Sequence, residues 1–147
     1  MVALPSEFCL GFPSAWIPVE PNKNPAAILG PLPFRRGSVS LPIPASVVPA
    51  TATEILVFAW AALSGKNPPL AYWHMAAEIG PHRRDFFSLL VAGDPTGASV
   101  MCNSQAFWLP MPRDGNLIAT LHAADLTSPT NKGEVEIHGY SPGPPQS

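Results

Sequence analysis

The chain has 147 residues, 46% of them hydrophobic, which suits a single domain with a core of its own. Only 12% are charged, the formal net charge is −2, and the basic residues include isolated pairs such as Arg35-Arg36 and Arg83-Arg84. A nucleic-acid partner needs a basic stripe and is not expected, and the apolar run Ile55 to Leu63 is far short of the roughly 20 residues of a membrane span.

Of the 20 prolines, half fall within the first 49 residues. Proline fixes φ and removes an amide donor, so residues 1–34 are expected to form an extended proline-rich arm rather than helix or central strand. No Lys or Arg occurs from Met1 to Ala15, and Pro5 and Pro13 interrupt the apolar stretch, so no export signal is expected there. Phe8, Phe12, Trp16, Ile17, Leu32 and Phe34 make the segment too apolar for a solvated tail. It is expected to lie along a surface, its own or a neighbour's, with Phe8, Phe12, Trp16, Ile17 and Phe34 as interface candidates.

From Arg35 onward, short apolar runs are separated by turn signals about every ten residues, the texture of a β-sandwich or barrel. Strands are predicted near 36–43, 54–63, 70–79, 84–92, 98–102, 105–109, 116–123 and 133–140. Between them stand punctuating strings such as Gly65-Lys66-Asn67-Pro68-Pro69, Gly80-Pro81 and Gly93-Asp94-Pro95-Thr96-Gly97. Residues 51–64 also fit a helix, because Thr51-Ala52-Thr53-Glu54 has the form of a capping box. The β-branched and aromatic Ile55, Val57, Phe58 and Trp60 favour a central strand, with Trp60 in the core. Residues 85–92 suit either a short helix or a strand. The reading is an all-β, antiparallel, jelly-roll-like sandwich of about eight strands over 35–141, with a flexible tail at 142–147.

The strings Leu41-Pro42, Val48-Pro49, Thr53 to Trp60, Phe107 to Pro112 and Val135 to Tyr140 resemble trimer-forming β-sandwich modules at the ends of extracellular collagen-like or fibrous invertebrate proteins. The resemblance spans roughly Ser38 to Tyr140 and consists of strand and turn texture without a catalytic signature. It implies a jelly roll and a role in assembly. The chain departs from such proteins in having no collagenous stalk and no visible signal peptide.

His74, Glu78 and His82 share a spacing of four. Gly80-Pro81 breaks a helix between the last two, and in a strand residues four apart are separated by about 13 Å, too far for one ion. They are read as polar rim residues, and neither a metal nor a cofactor is expected. Cys102 or Ser104 with a histidine would be the nucleophile, but Val100 to Ser104 carries no nucleophile-elbow or papain-type pattern. Cys9 and Cys102 can pair or remain free thiols. Asp94 and Asp114 sit in turn sequences that explain them locally, and Asp85 and Asp125 form no recognisable acid–base motif. The chain is therefore expected not to be an enzyme.

Low charge, the apolar arm and the apolar string Phe107 to Pro112, expected at a loop boundary, point instead to a structural, self-associating building block. Phe107, Trp108 and Met111 join the interface candidates. Its partners are expected to be copies of itself or other protein subunits; a virion, filament or other extracellular assembly fits this plan, and the sequence leaves the compartment open. The alternative is a lectin-like module. In it Tyr72, Trp73 or Trp108 stacks on a glycan, and Asp94, Asn103 and Asp114 bind its hydroxyls. Adjacent Tyr72 and Trp73 point to opposite faces of a strand, so one of them faces outward.

Overall fold

The computed structural model describes residues 15–143, which form nine strands. They are β1 (Ile17–Pro18), β2 (Ile28–Pro31), β3 (Gly37–Pro42), β4 (Glu54–Leu63), β5 (Leu70–Ile79), β6 (His82–Ala92), β7 (Met101–Pro110), β8 (Asn116–His122) and β9 (Lys132–Ser141).

The strands pair as nested antiparallel partners: β5 with β6, β4 with β7, β3 with β8, and β2 with β9. One long hairpin rolled over on itself gives this nesting. It yields two sheets, one ordered β1/β2-β9-β4-β7 and the other β3-β8-β5-β6. This is the arrangement of an eight-stranded jelly roll, to which β1 adds a short ninth strand beside β2 on the edge of β9.

Burial alternates along the strands. Along β4, Ile55, Val57, Ala59, Ala61 and Leu63 are buried while the residues between them are half-open. β8 and β9 alternate in the same way, as half-buried strands do. The inward sets of both sheets enclose one core, with Trp73 and Met75 at its centre. The β5–β6 turn is Gly80-Pro81, between paired Ile79 and His82. Gly80 has φ +58°, the position that a two-residue hairpin of this hand gives to glycine.

Several expectations change. The helix alternative at 51–64 is overturned by β4, which pairs on both sides with β7 and β9. Residues 85–92 are likewise strand. The two short strands expected at 98–102 and 105–109 are one strand, β7, because Asn103-Ser104 reads as a break but lies on a sheet edge, where the Asn103 side chain finds backbone partners.

Trp60 is not a core residue. Its neighbours Ala59 and Ala61 take the inward positions, and the indole lies on the outer face. Within the proline-rich segment, β1 and β2 add to the edge of β9 in the same chain. The amide of Val19 donates to the His138 carbonyl and that of Leu32 to the Gly133 carbonyl, while Pro18 and Pro31 sit on an edge that tolerates them. Phe8, Cys9 and Phe12, and the tail from 144, lie outside the described residues.

Candidate functional site

The outer face of the β4 sheet is built by the half of each strand that the core does not use. From β4 it takes Leu56, Phe58 and Trp60, and from β7 it takes Ala106 and Trp108, opposite Phe58 and Leu56. In β9 the register shifts where Leu56 pairs with Gly139 and Val57 with Ile137, which leaves His138 as an extra residue. The bulge aims the His138 ring onto Phe58, with ring centres 4.6 Å apart.

Gly139 is the foundation for Trp16. A Cβ at Gly139 would stand 2.6 Å from the Trp16 indole, so only glycine lets that ring lie against the strand. Trp16 then meets Trp108 edge to face, with centroids 5.7 Å apart, and remains 46% exposed. At the other end of the row, the Trp60 Nε1–H donates to Glu136 Oε2 at 2.8 Å, and Glu136 Oε1 lies 2.9 Å from His138 Nε2. The result is a row of aromatic rings with one carboxylate and one imidazole set into it. It can present apolar area to a partner, but it assembles no nucleophile with a base.

The other sheet carries a polar face. Tyr72 is the outward member of its pair with Trp73, and its hydroxyl is hydrogen-bonded to His74 Nε2. His74 Nδ1 in turn lies 2.9 Å from His122 Nε2. The Tyr72 ring has both imidazoles beside it, with centroids 4.6 and 5.2 Å away. His74, Glu78 and His82 are not gathered: His74 pairs with Ser88, Glu78 with Arg83, and His82 with Ile79. Among the described residues no three His, Cys, Asp or Glu side chains stand close enough to hold a metal ion.

Of the stacking candidates, Trp73 is fully buried, donating its indole N–H to the Pro33 carbonyl, so it cannot meet a sugar. Trp108 is half-buried in the outer row. Asn103, expected as a loop ligand, instead donates from β7 to the Leu90 carbonyl of β6 at 2.9 Å, tying the edges of the two sheets together.

Of the interface candidates, Phe34 packs edge to face on Trp73, and Met111 packs against the core. Phe107 stacks on Phe87 yet stays 41% exposed. Ile17 is 43% exposed and borders a shallow depression that Tyr140, Val47 and Lys23 also line.

Cys102 is exposed on β7 and has no disulfide partner among the described residues, and Ser104 is exposed on the same strand. The carboxylates are engaged separately. Asp94 accepts from Thr96 and Ser99, Asp114 from the Asn116 amide, and Asp125 from the Arg36 amide. Asp85 is exposed on β6.

Sequence reasoning passes over Phe58, Glu136 and His138 as surface residues. The alternation of β4 and β9 is the available signal, but the bulge that swings His138 over Phe58 leaves no mark in it. No protein-family model matches the chain, and no curated protein matches it significantly. Among the described residues no helix is long and apolar enough to cross a membrane.

Proposed function

We propose that this protein is a non-enzymatic structural protein, a self-associating jelly-roll building block of a larger filament, shell or extracellular appendage. One observation carries the reading: the outer face of the β4 sheet gathers Trp16 against Trp108 and Phe58 against His138, with Leu56 and Trp60 on the same face, on a chain with few charges. Apolar patches of this kind on soluble domains mark protein interfaces. Of the arm expected at 1–34, residues 15–34 belong to the domain's own sheet and core, and Phe8 and Phe12 lie outside the described residues.

The test is the native mass by light scattering of the full chain, of a form lacking residues 1–14, and of the double variant Trp16→Ser/Trp108→Ser. An oligomer that dissociates in the truncated and substituted forms is the expected result. A full-length monomer over the micromolar range overturns the reading.

A second reading, a lectin-like module, is favoured by the half-open indoles of Trp16 and Trp108 on a face that also holds Glu136 and His138. Sugar sites combine aromatic faces with hydrogen-bonding groups in this way. A monomer that binds on a glycan array, and loses binding in Trp108→Ala, would establish it in place of the first.

A further inference from the structure

We infer that β7 is the seam through which two copies of the chain join, pairing antiparallel with itself about a two-fold axis near Gln105. This deepens the self-association reading and rests on it. β7 is the free edge of its sheet, with β4 on one side and, among the described residues, no strand on the other. All ten residues pair with β4 in unbroken register, so no bulge twists the edge away.

The hydrogen bonds show which groups point outward. Met111 donates its amide to Thr53 of the segment before β4 at 2.9 Å, whereas the Ser104 amide is taken up by the neighbouring Asn103 side chain at 2.9 Å. In an antiparallel ladder the backbone groups of alternate residues face the same way. The amides of Cys102, Ala106 and Trp108 therefore point from the sheet edge toward solvent. Pro110 falls in the same series and has no N–H to present.

Natural edges are guarded against pairing by charge, proline, brevity or bulges, and the other edges of this molecule are guarded. β6 carries His82-Arg83-Arg84-Asp85, β3 spans only Gly37–Pro42 beside Arg35-Arg36, and β1 and β2 are two and four residues long with prolines. β7 reads Met-Cys-Asn-Ser-Gln-Ala-Phe-Trp-Leu-Pro, with no charge and a proline only at its end. Neutrality also admits a second copy as the partner. A strand that pairs with its own copy sets each charge against a like charge near the axis, and β7 has none to oppose.

The outward groups run from Cys102 to Trp108, which places the axis at Gln105. Ser104 then faces Ala106 of the second copy, its carbonyl accepting from that Ala106 amide while its own amide stays with the Asn103 side chain, and Cys102 faces Trp108 of the second copy. The pairing joins the two aromatic rows into one face.

The experiment is sedimentation equilibrium on the full chain and on Ala106→Pro, which removes an outward amide and leaves the bonds to β4 intact. The association constant is expected to fall at least tenfold, with the β-sheet circular dichroism unchanged. In parallel, Gln105→Cys in a Cys9→Ser/Cys102→Ser background is expected to form a disulfide-linked dimer under mild oxidation. This second arm decides the matter should Ala106→Pro fail to fold. An oligomer that persists in Ala106→Pro, or the absence of the cross-link in an associating protein, overturns the β7 seam while sparing self-association. A monomeric full chain overturns both.

Discussion

The indole N–H of Trp73 donates to the backbone carbonyl of Pro33 at 2.8 Å, so the largest fully buried side chain is fastened to the proline-rich segment. The same segment sends Leu32 and Ala27 into the core and covers Trp73 with the ring of Phe34. Residues 25–34 are thus part of what holds the sandwich shut.

Deleting residues 1–34 is accordingly expected to unfold the domain, whereas deleting residues 1–14 spares every contact just named. Trp73→Phe is expected to cost about 2–4 kcal/mol, from the lost ring volume and a buried carbonyl left without its donor. Urea unfolding of the three forms checks this. Equal midpoints for the two deletions would show that the Pro33 tether is dispensable.

Local texture makes the sandwich legible in the amino-acid sequence. The strand at 133–140 follows from a period-two pattern, and those at 54–63 and 70–79 from apolar, β-branched and aromatic runs bounded by turns that contain Gly and Pro, causes that act locally. What sequence conceals is mostly nonlocal. Prolines at 18 and 31 argue against strand until a partner edge such as β9 tolerates them. Trp60 reads as core because tryptophan is large and apolar, yet the inward face of β4 is filled by small alanines at 59 and 61. Which of Tyr72 and Trp73 faces inward is fixed by the sheet's position, which period two alone leaves open. The His138 bulge and the Gly139 seat for Trp16 depend on how β9 meets β4, a relation between strands about 80 residues apart.

Asn67 and Asn131 form a buried amide pair that joins the loop after β4 to the loop before β9. Asn131 Nδ2 donates to Asn67 Oδ1 at 2.7 Å and Asn67 Nδ2 to Asn131 Oδ1 at 3.1 Å, while the Ser64 amide and the Ser64 and Gly65 carbonyls occupy further positions. Removing either amide strands buried partners, so Asn67→Ala and Asn131→Ala are each expected to cost about 1–3 kcal/mol. The double variant is expected to cost clearly less than their sum, because each single change already breaks the shared bonds. Denaturant titration of the four forms measures the coupling, and strict additivity would show that the pair acts as two independent residues.

Asp94 organises the β6–β7 loop. Its carboxylate accepts from the Thr96 hydroxyl and amide at 2.6 and 2.8 Å and from the Ser99 amide at 3.0 Å. The Thr96 hydroxyl above all, then these amides, hold its pKa below the ordinary carboxylate value. With the folded value depressed, the loop's order is fully present above the unfolded value and is lost as pH falls through the folded one. A carboxyl-carbon NMR titration is expected to place the Asp94 midpoint below that of an unstructured aspartate. Asp94→Asn is expected to speed hydrogen exchange at the Thr96 and Ser99 amides at neutral pH. An ordinary midpoint with unchanged exchange would mean that these bonds do not persist in solution.

Gly139→Ala tests the aromatic row without touching its rings. The added methyl would lie 2.6 Å from Trp16 Cε3 and 3.2 Å from the Ile17 carbonyl, so the indole has to lift from β9. Trp16 is an exposed residue beside a two-residue edge strand, and the buried positions of β9 stay filled by Val135 and Ile137. The fold is therefore expected to survive with a loss of about 1–2 kcal/mol, within the range of most single substitutions. Tryptophan emission should shift to the red as Trp16 leaves Trp108, and the aromatic face should lose continuity at that end. If the row is the surface through which subunits meet, self-association weakens together with the emission shift. A red shift with undiminished association would place the contact elsewhere on the molecule, and unchanged emission would mean that β9 yields rather than the indole.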